Sequence, residues 1–440
     1  MRIIDLNETS RNNLLEDLLK RSPGQYGAYA GQVEAILKDI KEKGDEALFA
    51  YTERFDGVRL DKDSFRVTPK EIREAYEQVD PKLLAVMRRA LSNIRSYHEK
   101  QRRYSWFDSQ PDGTLLGQKI TALQSVGVYV PGGKAVYPSS VLMNIVPAKT
   151  AGVEQIVMTT PPGKDGKISP NTLVAASEAG ADVIYKAGGA QAIGALAYGT
   201  ASIPKVDKIV GPGNIYVALA KKAVYGFVSI DSIAGPSEIL VLADETANPR
   251  FVAADLLSQA EHDEMASAIL ITTSRRLAEQ VSAETDRFIQ KLSRRAILEK
   301  SLENYGCILV ADSMDAAIEA ANAIASEHLE IVTRDPFQVM TKIRNAGAIF
   351  IGEYASEPLG DYFAGPNHVL PTNGTARFFS PLSVDDFIKK SSIVYYSREA
   401  LEAVHQDIIR FANAEELTAH ANSIAVRFAD QADIQRREEP

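Results

Sequence analysis

The chain has 440 residues, 45% of them apolar and 24% charged, which suits a globular protein with two or more hydrophobic cores. A net charge of −9 argues against nucleic acid as a partner, because phosphates require a basic protein face. No run approaches the ~18 apolar residues of a membrane helix, no apolar leader follows Met1, and the single cysteine excludes an internal disulfide. We therefore expect a cytoplasmic protein without a membrane span.

The first 115 residues predict mostly amphipathic helices with a charged outer face. One segment carries apolar residues at the spacing of a single buried helix face: Val33, Ile36, Leu37 and Ile40.

From about residue 119, short β-rich apolar runs alternate with helical stretches. The predicted strands are 126–130, 155–160, 182–187, 208–210, 238–243, 268–273 and 307–311. Helices fit between them, for example at 171–179 and 191–198. This alternation is typical of mainly parallel sheets covered on both faces. After residue 381 the chain is helical and charged with little strand signal, which indicates an arm.

Three glycine-rich turns follow apolar runs and precede predicted helices, at 129–133, 187–191 and 211–214. Glycine lets the backbone approach a ligand, and a helix N-terminus offers N–H groups to phosphate. In an open parallel sheet, such ligands lie at the carboxyl ends of the strands. No G-x-G-x-x-G or Walker A motif is present, so ordinary βα turns remain the alternative.

Four of the six histidines fall in short polar motifs in the second half of the chain. These motifs are Gln259 to His262, Glu327 with His328, Asp361 with Asn367 and His368, and Glu415 to His420. Imidazole and carboxylate suit both a divalent metal and proton transfer.

Each motif has a plainer alternative. Gln259 and His262 share one face of a helix predicted over 255–265. They are either ligands of one ion or part of a polar helix surface. Glu327 and His328 are adjacent, so they converge on one site only at a helix end or turn, and a solvated helix end is the alternative. Glu415 and His420 lie five residues apart on a predicted helix of the tail. For this pair and for the 360–368 loop, the alternative is that they are ordinary surface residues.

Cys307 lies in an apolar strand-like run and is interpreted as a buried, inert thiol. Any oxidation of an aldehyde here would then use a metal and an activated water in place of a thiol nucleophile.

Jointly, the motifs resemble the histidinol dehydrogenase family. The matching segments are VYVPGG (128–133), AGGAQA (187–192), VGPGN (210–214), DSIAGPSE (231–238), QAEH (259–262), SEHL (326–329), GDY (360–362), GPNHVLP (365–371) and LTAH (417–420).

The resemblance implies oxidation of L-histidinol to L-histidine through bound L-histidinaldehyde, with one zinc ion per subunit and NAD. It assigns zinc to Gln259, His262, Asp361 and His420, and NAD contacts to Tyr129, Gln191 and Asn214. Glu327 and His328 match the acid–base pair. The implied substrate contacts are Ser237, Gln259, His262, His328, Asp361, His368, Glu415 and His420.

The resemblance also implies a homodimer in which the tail of one subunit completes the site of the other. The expected fold is α/β, with two mainly parallel, incomplete Rossmann-like domains. We expect an N-terminal arm (1–25), a first domain with the zinc and catalytic residues (26–128 plus 238–381), an NAD-side domain (129–237) and a helical arm (382–440).

Three rival functions keep some of the same residues. A related zinc- and NAD-dependent enzyme could act on another amino alcohol. A zinc hydrolase would have no use for the glycine turns, and a non-catalytic nucleotide-binding protein would not need the metal ligands.

Overall fold

The structure is a computed structural model that describes residues 1–21, 27–132 and 137–429. Its strands are β1 (Arg2–Asp5), β2 (Trp106–Ser109), β3 (Leu115–Ala122), β4 (Ser125–Tyr129), β5 (Gln155–Thr160), β6 (Val183–Lys186), β7 (Lys208–Val210), β8 (Ser229–Ile230), β9 (Glu238–Ala243), β10 (Ser267–Thr272), β11 (Gly306–Val310), β12 (His328–Val332), β13 (Ala348–Ile351) and β14 (Ile388–Tyr395).

The helices are α1 (Glu8–Leu19), α2 (Gly27–Lys43), α3 (Asp45–Asp56), α4 (Pro69–Gln78), α5 (Pro81–Glu99), α6 (Pro138–Ala151), α7 (Pro170–Ala179), α8 (Gly189–Tyr198), α9 (Ile215–Val224), α10 (Pro249–Ala260), α11 (Arg275–Ile289), α12 (Arg295–Tyr305), α13 (Met314–Ile324), α14 (Pro336–Met340), α15 (Glu357–Leu359), α16 (Arg398–Ala414) and α17 (Thr418–Ala425). A π-helical turn (Gly360–Ala364) and two 3₁₀ turns (Thr375–Arg377 and Val384–Phe387) complete the elements.

Two parallel sheets confirm the predicted α/β class. The six-stranded sheet has the order β1-β11-β10-β9-β12-β13, and the five-stranded sheet has the order β6-β5-β4-β7-β8. Every residue of β4, β9, β10 and β12 is buried, as expected for strands covered on both faces. Each of the seven predicted strands is present within one residue.

Separate apolar cores lie on the two faces of each sheet. On the six-stranded sheet, one core includes α10, α11 and α12, and the other includes α13. On the five-stranded sheet, α6 and α7 cover one face while α8 and α9 cover the other. The two sheets therefore have cores of their own.

The N-terminal helices pack on the five-stranded sheet. Helices α2 and α3 join the core on the α8 face, and α4 and α5 join the core on the α6 face. The predicted domain division instead places residues 26–128 with 238–381. An amphipathic helix shows in sequence that it has a buried face, but not which sheet it covers.

Strand β1 pairs in parallel with β11, so the predicted N-terminal arm begins as an edge strand of the six-stranded sheet. Residues 22–25 of that arm lie outside the described residues. The short strands β8, β12 and β13 were not predicted, and β12 carries His328.

By contacts, the chain divides into two compact units, residues 1–102 with 122–387, and residues 103–121 with 388–440. The second unit contains a three-stranded sheet of order β14-β3-β2, together with α16 and α17. The prediction of helix before residue 115 and of little strand in the tail was therefore wrong in part. Strands β2 and β14 are largely exposed, so they lack the apolar alternation by which a strand is recognised.

Among the described residues, no helix is both long and apolar enough to cross a membrane.

Candidate active site

The predicted acid–base pair lies at the amino end of β12. Helix α13 ends at Ile324 and is capped by Ala325, which adopts a left-handed φ of 54°; strand β12 begins at His328. Glu327 and His328 are both buried. The pair therefore occupies the kind of helix end at which adjacent residues are able to converge, which removes the alternative of a solvated surface.

The backbone of Glu238, the first residue of β9, contacts both members of the pair. Its N–H donates to Oε2 of Glu327 at 2.9 Å, and its carbonyl oxygen lies 2.9 Å from Nδ1 of His328. Since a carbonyl only accepts, Nδ1 of His328 must carry the proton. Nε2 of a neutral His328 is then the free basic nitrogen.

His328 has an acidic environment. Burial alone would lower its pKa, but Glu327, Asp361 and Glu357 together raise the pKa of His328 to about 10. Its Nε2 is buried without a hydrogen-bond partner, 3.8 Å from Oδ1 of Asp361. An unpartnered buried nitrogen facing a carboxylate is typical of a site that receives a ligand.

Glu327 is held in a state suited to taking a proton near neutral pH. Burial raises the pKa of Glu327 to about 8, with a further contribution from the charge of Glu238, while His328 opposes the shift. Its Oε2 lies 3.7 Å from Nδ1 of His328. A carboxyl group with this pKa can act as a general base or acid.

Asp361 lies in the π-helical turn and faces two imidazoles. Its Oδ1 is 3.8 Å from Nε2 of His328 and 3.8 Å from Nδ1 of His368. Burial would raise the pKa of Asp361, but these two rings and that of His262 hold it below its usual range. Asp361 is therefore an ionised carboxylate.

His368 is anchored through both of its ring nitrogens. Nδ1 lies 3.1 Å from the carbonyl oxygen of Asp361, and Nε2 lies 3.3 Å from the hydroxyl of Ser140. Burial lowers the pKa of His368. The 360–368 segment thus turns its acid and its histidine toward each other.

Gln259 and His262 reach the site differently from the prediction. Helix α10 ends at Ala260, so His262 lies beyond the helix and its N–H donates to the carbonyl of Gln259 at 3.1 Å. The predicted helix over 255–265 was too long. Oε1 of Gln259 is buried without a hydrogen-bond partner. His262 keeps an exposed edge, yet desolvation of its ring lowers its pKa, which favours the neutral imidazole that metals bind.

Sequence reasoning missed Glu357. In the described part of the chain, the ligand atoms of His328, Glu357 and Asp361 lie within 4.8 Å of one another, as a metal site requires. Burial and the charge of Asp361 raise the pKa of Glu357 to about 7, and its Oε2 accepts a 2.9 Å hydrogen bond from Ser258. Glu357 lies four residues before Asp361, and this helical spacing is the sequence pattern that could have identified Glu357 as a neighbour of Asp361.

The residues present fit a divalent cation. The carboxylate of Asp361 lies 3.8 Å from Nε2 of His328 and interacts with the imidazole of His262, whose lowered pKa favours the neutral form. Gln259 adds a buried amide oxygen that has no partner within the protein. Nitrogen and oxygen ligands of these kinds are the ones zinc accepts.

The glycine-rich turns lie at the carboxyl edge of the five-stranded sheet, where the prediction placed them. Tyr129 ends β4, and its hydroxyl accepts a hydrogen bond from the N–H of Gly189 at 3.2 Å. A Cβ on Gly211 would lie 2.0 Å from the carbonyl oxygen of Tyr129, so this turn requires glycine. Gly133 lies outside the described residues.

The three predicted NAD contacts have different surroundings. Oε1 of Gln191 is buried without a partner, as expected for a group that awaits a ligand. Burial raises the pKa of Tyr129 to about 12, so its hydroxyl stays protonated. Oδ1 of Asn214 instead accepts from the N–H groups of Tyr216 and Val217 and caps α9.

Of the remaining predicted residues, Ser237 directly precedes Glu238, and its carbonyl accepts from Ser267 at 3.0 Å. Glu415 and His420 belong to the second compact unit and are exposed. They lie on different elements, because Glu415 caps the C-terminus of α16 while His420 is in α17. The two line a crevice of about 600 Å³ with Phe411 and Leu417.

Cys307 is buried, and desolvation raises the pKa of its thiol to about 12. The prediction of an inert cysteine is confirmed, because the nucleophilic thiolate is absent near neutral pH.

Comparison with known proteins shows the family of this chain. The sequence model of "Histidinol dehydrogenase" matches residues 19–428. A histidinol dehydrogenase of Caldanaerobacter subterraneus subsp. tengcongensis is 57% identical over 415 residues, which cover 94% of this chain and 96% of the relative. One from Bacillus subtilis is 60% identical over 395 residues, covering 90% of this chain and 92% of the relative.

The crystal structure of histidinol dehydrogenase from Elizabethkingia anophelis superposes with a TM-score of 0.91 at 39% identity, covering 97% of this chain and 98% of that one. Both the sequence and the fold lead to the same assignment. This chain belongs to the histidinol dehydrogenase family.

Proposed function

We propose that this protein oxidises L-histidinol to L-histidine in two steps, with zinc and NAD, and that L-histidinaldehyde stays bound between them. The observation that carries the proposal is the buried ring of His328, whose unpartnered Nε2 faces Asp361 and whose Nδ1 lies 3.7 Å from Glu327. A candidate base thus lies between an ionised carboxylate and a second titratable acid.

Gln259, His262 and Asp361 would hold the zinc ion, with His420 as the fourth ligand. Bound zinc would orient and polarise the substrate, and bound NAD would accept a hydride in each oxidation. Tyr129, Gln191 and Asn214 would contact NAD at the carboxyl edge of the five-stranded sheet. Ser237, His368 and Glu415 would complete the contacts to substrate.

In the first oxidation, Nε2 of His328 takes the proton of the substrate hydroxyl. The hydrogen bond from Nδ1 to the carbonyl of Glu238 supports this role, because it leaves Nε2 as the basic nitrogen of the neutral ring. A cation bound at Asp361 would offset the negative charge that raises the pKa of His328 to about 10 in its absence, and so would favour the neutral ring. The ring is also fixed in orientation, so little reorganisation is needed when the proton transfers.

In the second oxidation, Glu327 takes a proton from water, which adds to the aldehyde. The raised pKa of Glu327 supports this role, since a base is most effective when its pKa lies near the working pH. Because the aldehyde stays bound, it remains beside Glu327 and His328 and cannot take part in side reactions.

The exposed crevice of the second unit supports a homodimer in which Glu415 and His420 complete the partner's site. Phe411 is 72% exposed and Leu417 42% exposed, and apolar side chains of this size are favourably buried at an interface. We place the protein in the cytoplasm, which the single free thiol supports.

The test is to mix purified protein with histidinol and NAD and to follow the absorbance of reduced cofactor with and without a chelator. Two NADH per histidinol, lost on chelation and restored by zinc, is the expected result. A different amino alcohol as the better substrate would favour the related dehydrogenase. Hydrolysis without NAD would favour a zinc hydrolase, and NAD binding without turnover would leave only a nucleotide-binding protein.

A further inference from the structure

The buried ion pair between Arg21 and Glu238 has no part in the chemistry described above. Arg21 is fully buried at the end of the N-terminal segment, 217 positions before Glu238 in the chain. Its guanidinium group donates to the Glu238 carboxylate and, at 2.8 Å, to the carbonyl of Met265. It also lies over the ring of Tyr305, 5.3 Å from the centroid.

Glu238 occupies an unusual place in the sheet. The register of β9 with β12 begins at Ile239, opposite His328, so Glu238 lies one position beyond this ladder, whereas on the other side it pairs with Ser267 of β10. Its N–H and carbonyl bind the side chains of Glu327 and His328. No residue of β12 pairs with Glu238, so its orientation on that side depends on side-chain contacts.

Because burying a charge is costly unless it is paired, the fully buried Arg21 depends on its ion pair with Glu238. Because guanidinium is planar and makes several directed hydrogen bonds, it fixes orientation better than an ammonium group does. Arg21 joins Glu238 on β9 to Met265, just before β10, and to Tyr305 at the end of α12.

We propose that Arg21 and Glu238 are positioning residues for the proposed histidinol oxidation, which hold the backbone that orients Glu327 and His328. The kinetic test of this inference rests on the proposed function. The structural test does not, because it depends only on the hydrogen bonds between Glu238 and the side chains of Glu327 and His328. The N-terminal segment would then contribute to catalysis indirectly, because its Arg21 holds Glu238 at the start of β9.

The experiment compares Arg21→Met, Glu238→Gln and the double variant with wild type. As the matched control, Arg11→Met removes a partly exposed arginine of α1 that forms a 2.8 Å ion pair with the exposed Glu319. Each test variant should lower kcat at least about 10-fold, as loss of a supporting contact does, while KM for histidinol and zinc content change less than about 2-fold. The control should keep wild-type kcat.

The double variant separates positioning from stability. Each single variant leaves a buried charge unpaired and should melt at a lower temperature, whereas the double variant should regain melting temperature without regaining kcat. If kcat recovers together with melting temperature, or if the folded single variants keep wild-type kcat, the proposal is overturned.

Arg21→Lys keeps the charge but loses the planar hydrogen-bonding group, so its kcat should lie between those of Arg21→Met and wild type. A lysine variant as slow as the methionine variant would contradict an anchoring ion pair. If the methionine variants are too unstable to purify, Arg21→Lys is compared with wild type directly: a lower kcat in the folded variant supports orientation by the guanidinium group, and an unchanged kcat overturns it.

An activity-independent readout distinguishes this idea from the proposed function. In protein labelled with ¹⁵N-histidine, the signals of His328, assigned by their loss in His328→Asn, should shift in Arg21→Met and not in Arg11→Met. If wild type fails to oxidise histidinol, the proposed function fails, while this shift still decides whether the ion pair orients His328. An unshifted His328 overturns the inference.

Discussion

Nε2 of His328 lies 3.8 Å from Oδ1 of Asp361, and Nδ1 of the same ring is held by the carbonyl of Glu238. One imidazole therefore links the proposed metal site to the backbone of the six-stranded sheet. Nε2 is the proposed base and Nδ1 is the anchored nitrogen. Substitutions can therefore test the loss of proton transfer separately from the loss of zinc.

Replacing His328 by Asn should remove the base and leave the metal ligands in place. Turnover with histidinol should fall about 10²- to 10⁴-fold, the usual range for loss of a general base. Zinc content, measured by atomic absorption on the purified variant, should equal that of wild type. Loss of zinc together with activity would contradict the assigned role.

Replacing Glu327 by Gln should affect the second oxidation more than the first. An amide cannot take a proton from water, whereas His328 still serves the first step. Single-turnover measurements with histidinol and with histidinaldehyde should show a larger loss for the aldehyde. Equal losses in both steps would exclude Glu327 as the water-activating group.

Gln259→Ala should weaken zinc binding, because Oε1 of Gln259 is buried with no partner within the protein. We expect zinc affinity, measured by competition with a chromophoric chelator, to fall about 100-fold, the upper range for loss of a supporting contact to a metal site. Gln338→Ala, at an exposed position of α14, is the control and should bind zinc as wild type does. Unchanged affinity in Gln259→Ala would remove this residue from the ligand set.

The stability of the metal-free protein should fall as pH rises. The folded-state pKa of Glu327 is about 8 and that of His328 about 10, against ordinary pKa values of 4.5 and 6.5 for these side chains. The folded protein thus keeps protons that the unfolded chain releases at lower pH. The stability from this linkage is present below the ordinary pKa values and is lost as pH rises through the folded pKa values.

The melting temperature in chelator, followed by circular dichroism from pH 6 to 10, should therefore decline more steeply for wild type than for a Glu327→Gln, His328→Asn double variant. Parallel curves for the two proteins would show that these groups do not titrate as the structure indicates.

The dimer hypothesis predicts complementation between inactive variants. If His420 acts on the partner's site, a heterodimer of His328→Asn and His420→Asn has one site with both native residues. Random mixing should then restore about a quarter of wild-type activity, since half of the dimers are mixed and half of their sites are intact. If both residues act within one subunit, the mixture stays inactive.

Much of the molecule could be predicted from local pattern. Alternating apolar runs located seven strands, because a strand buried on both faces must be apolar throughout. Glycine at 211 could be singled out as a turn residue, and the motif at 327–328 as a candidate acid–base pair. These features depend only on neighbours in the chain, so the sequence by itself determined them.

The tertiary structure alone decided how these pieces meet. Glu238 binds Glu327 and His328 through its backbone, and main-chain groups carry no side-chain signature that a sequence pattern could reveal. Glu357 and Arg21 read as ordinary charged residues until long-range packing buries them. Contacts between residues hundreds of positions apart arise from the packing of sheets and helices, whose partners are chosen by shape and burial over the whole fold.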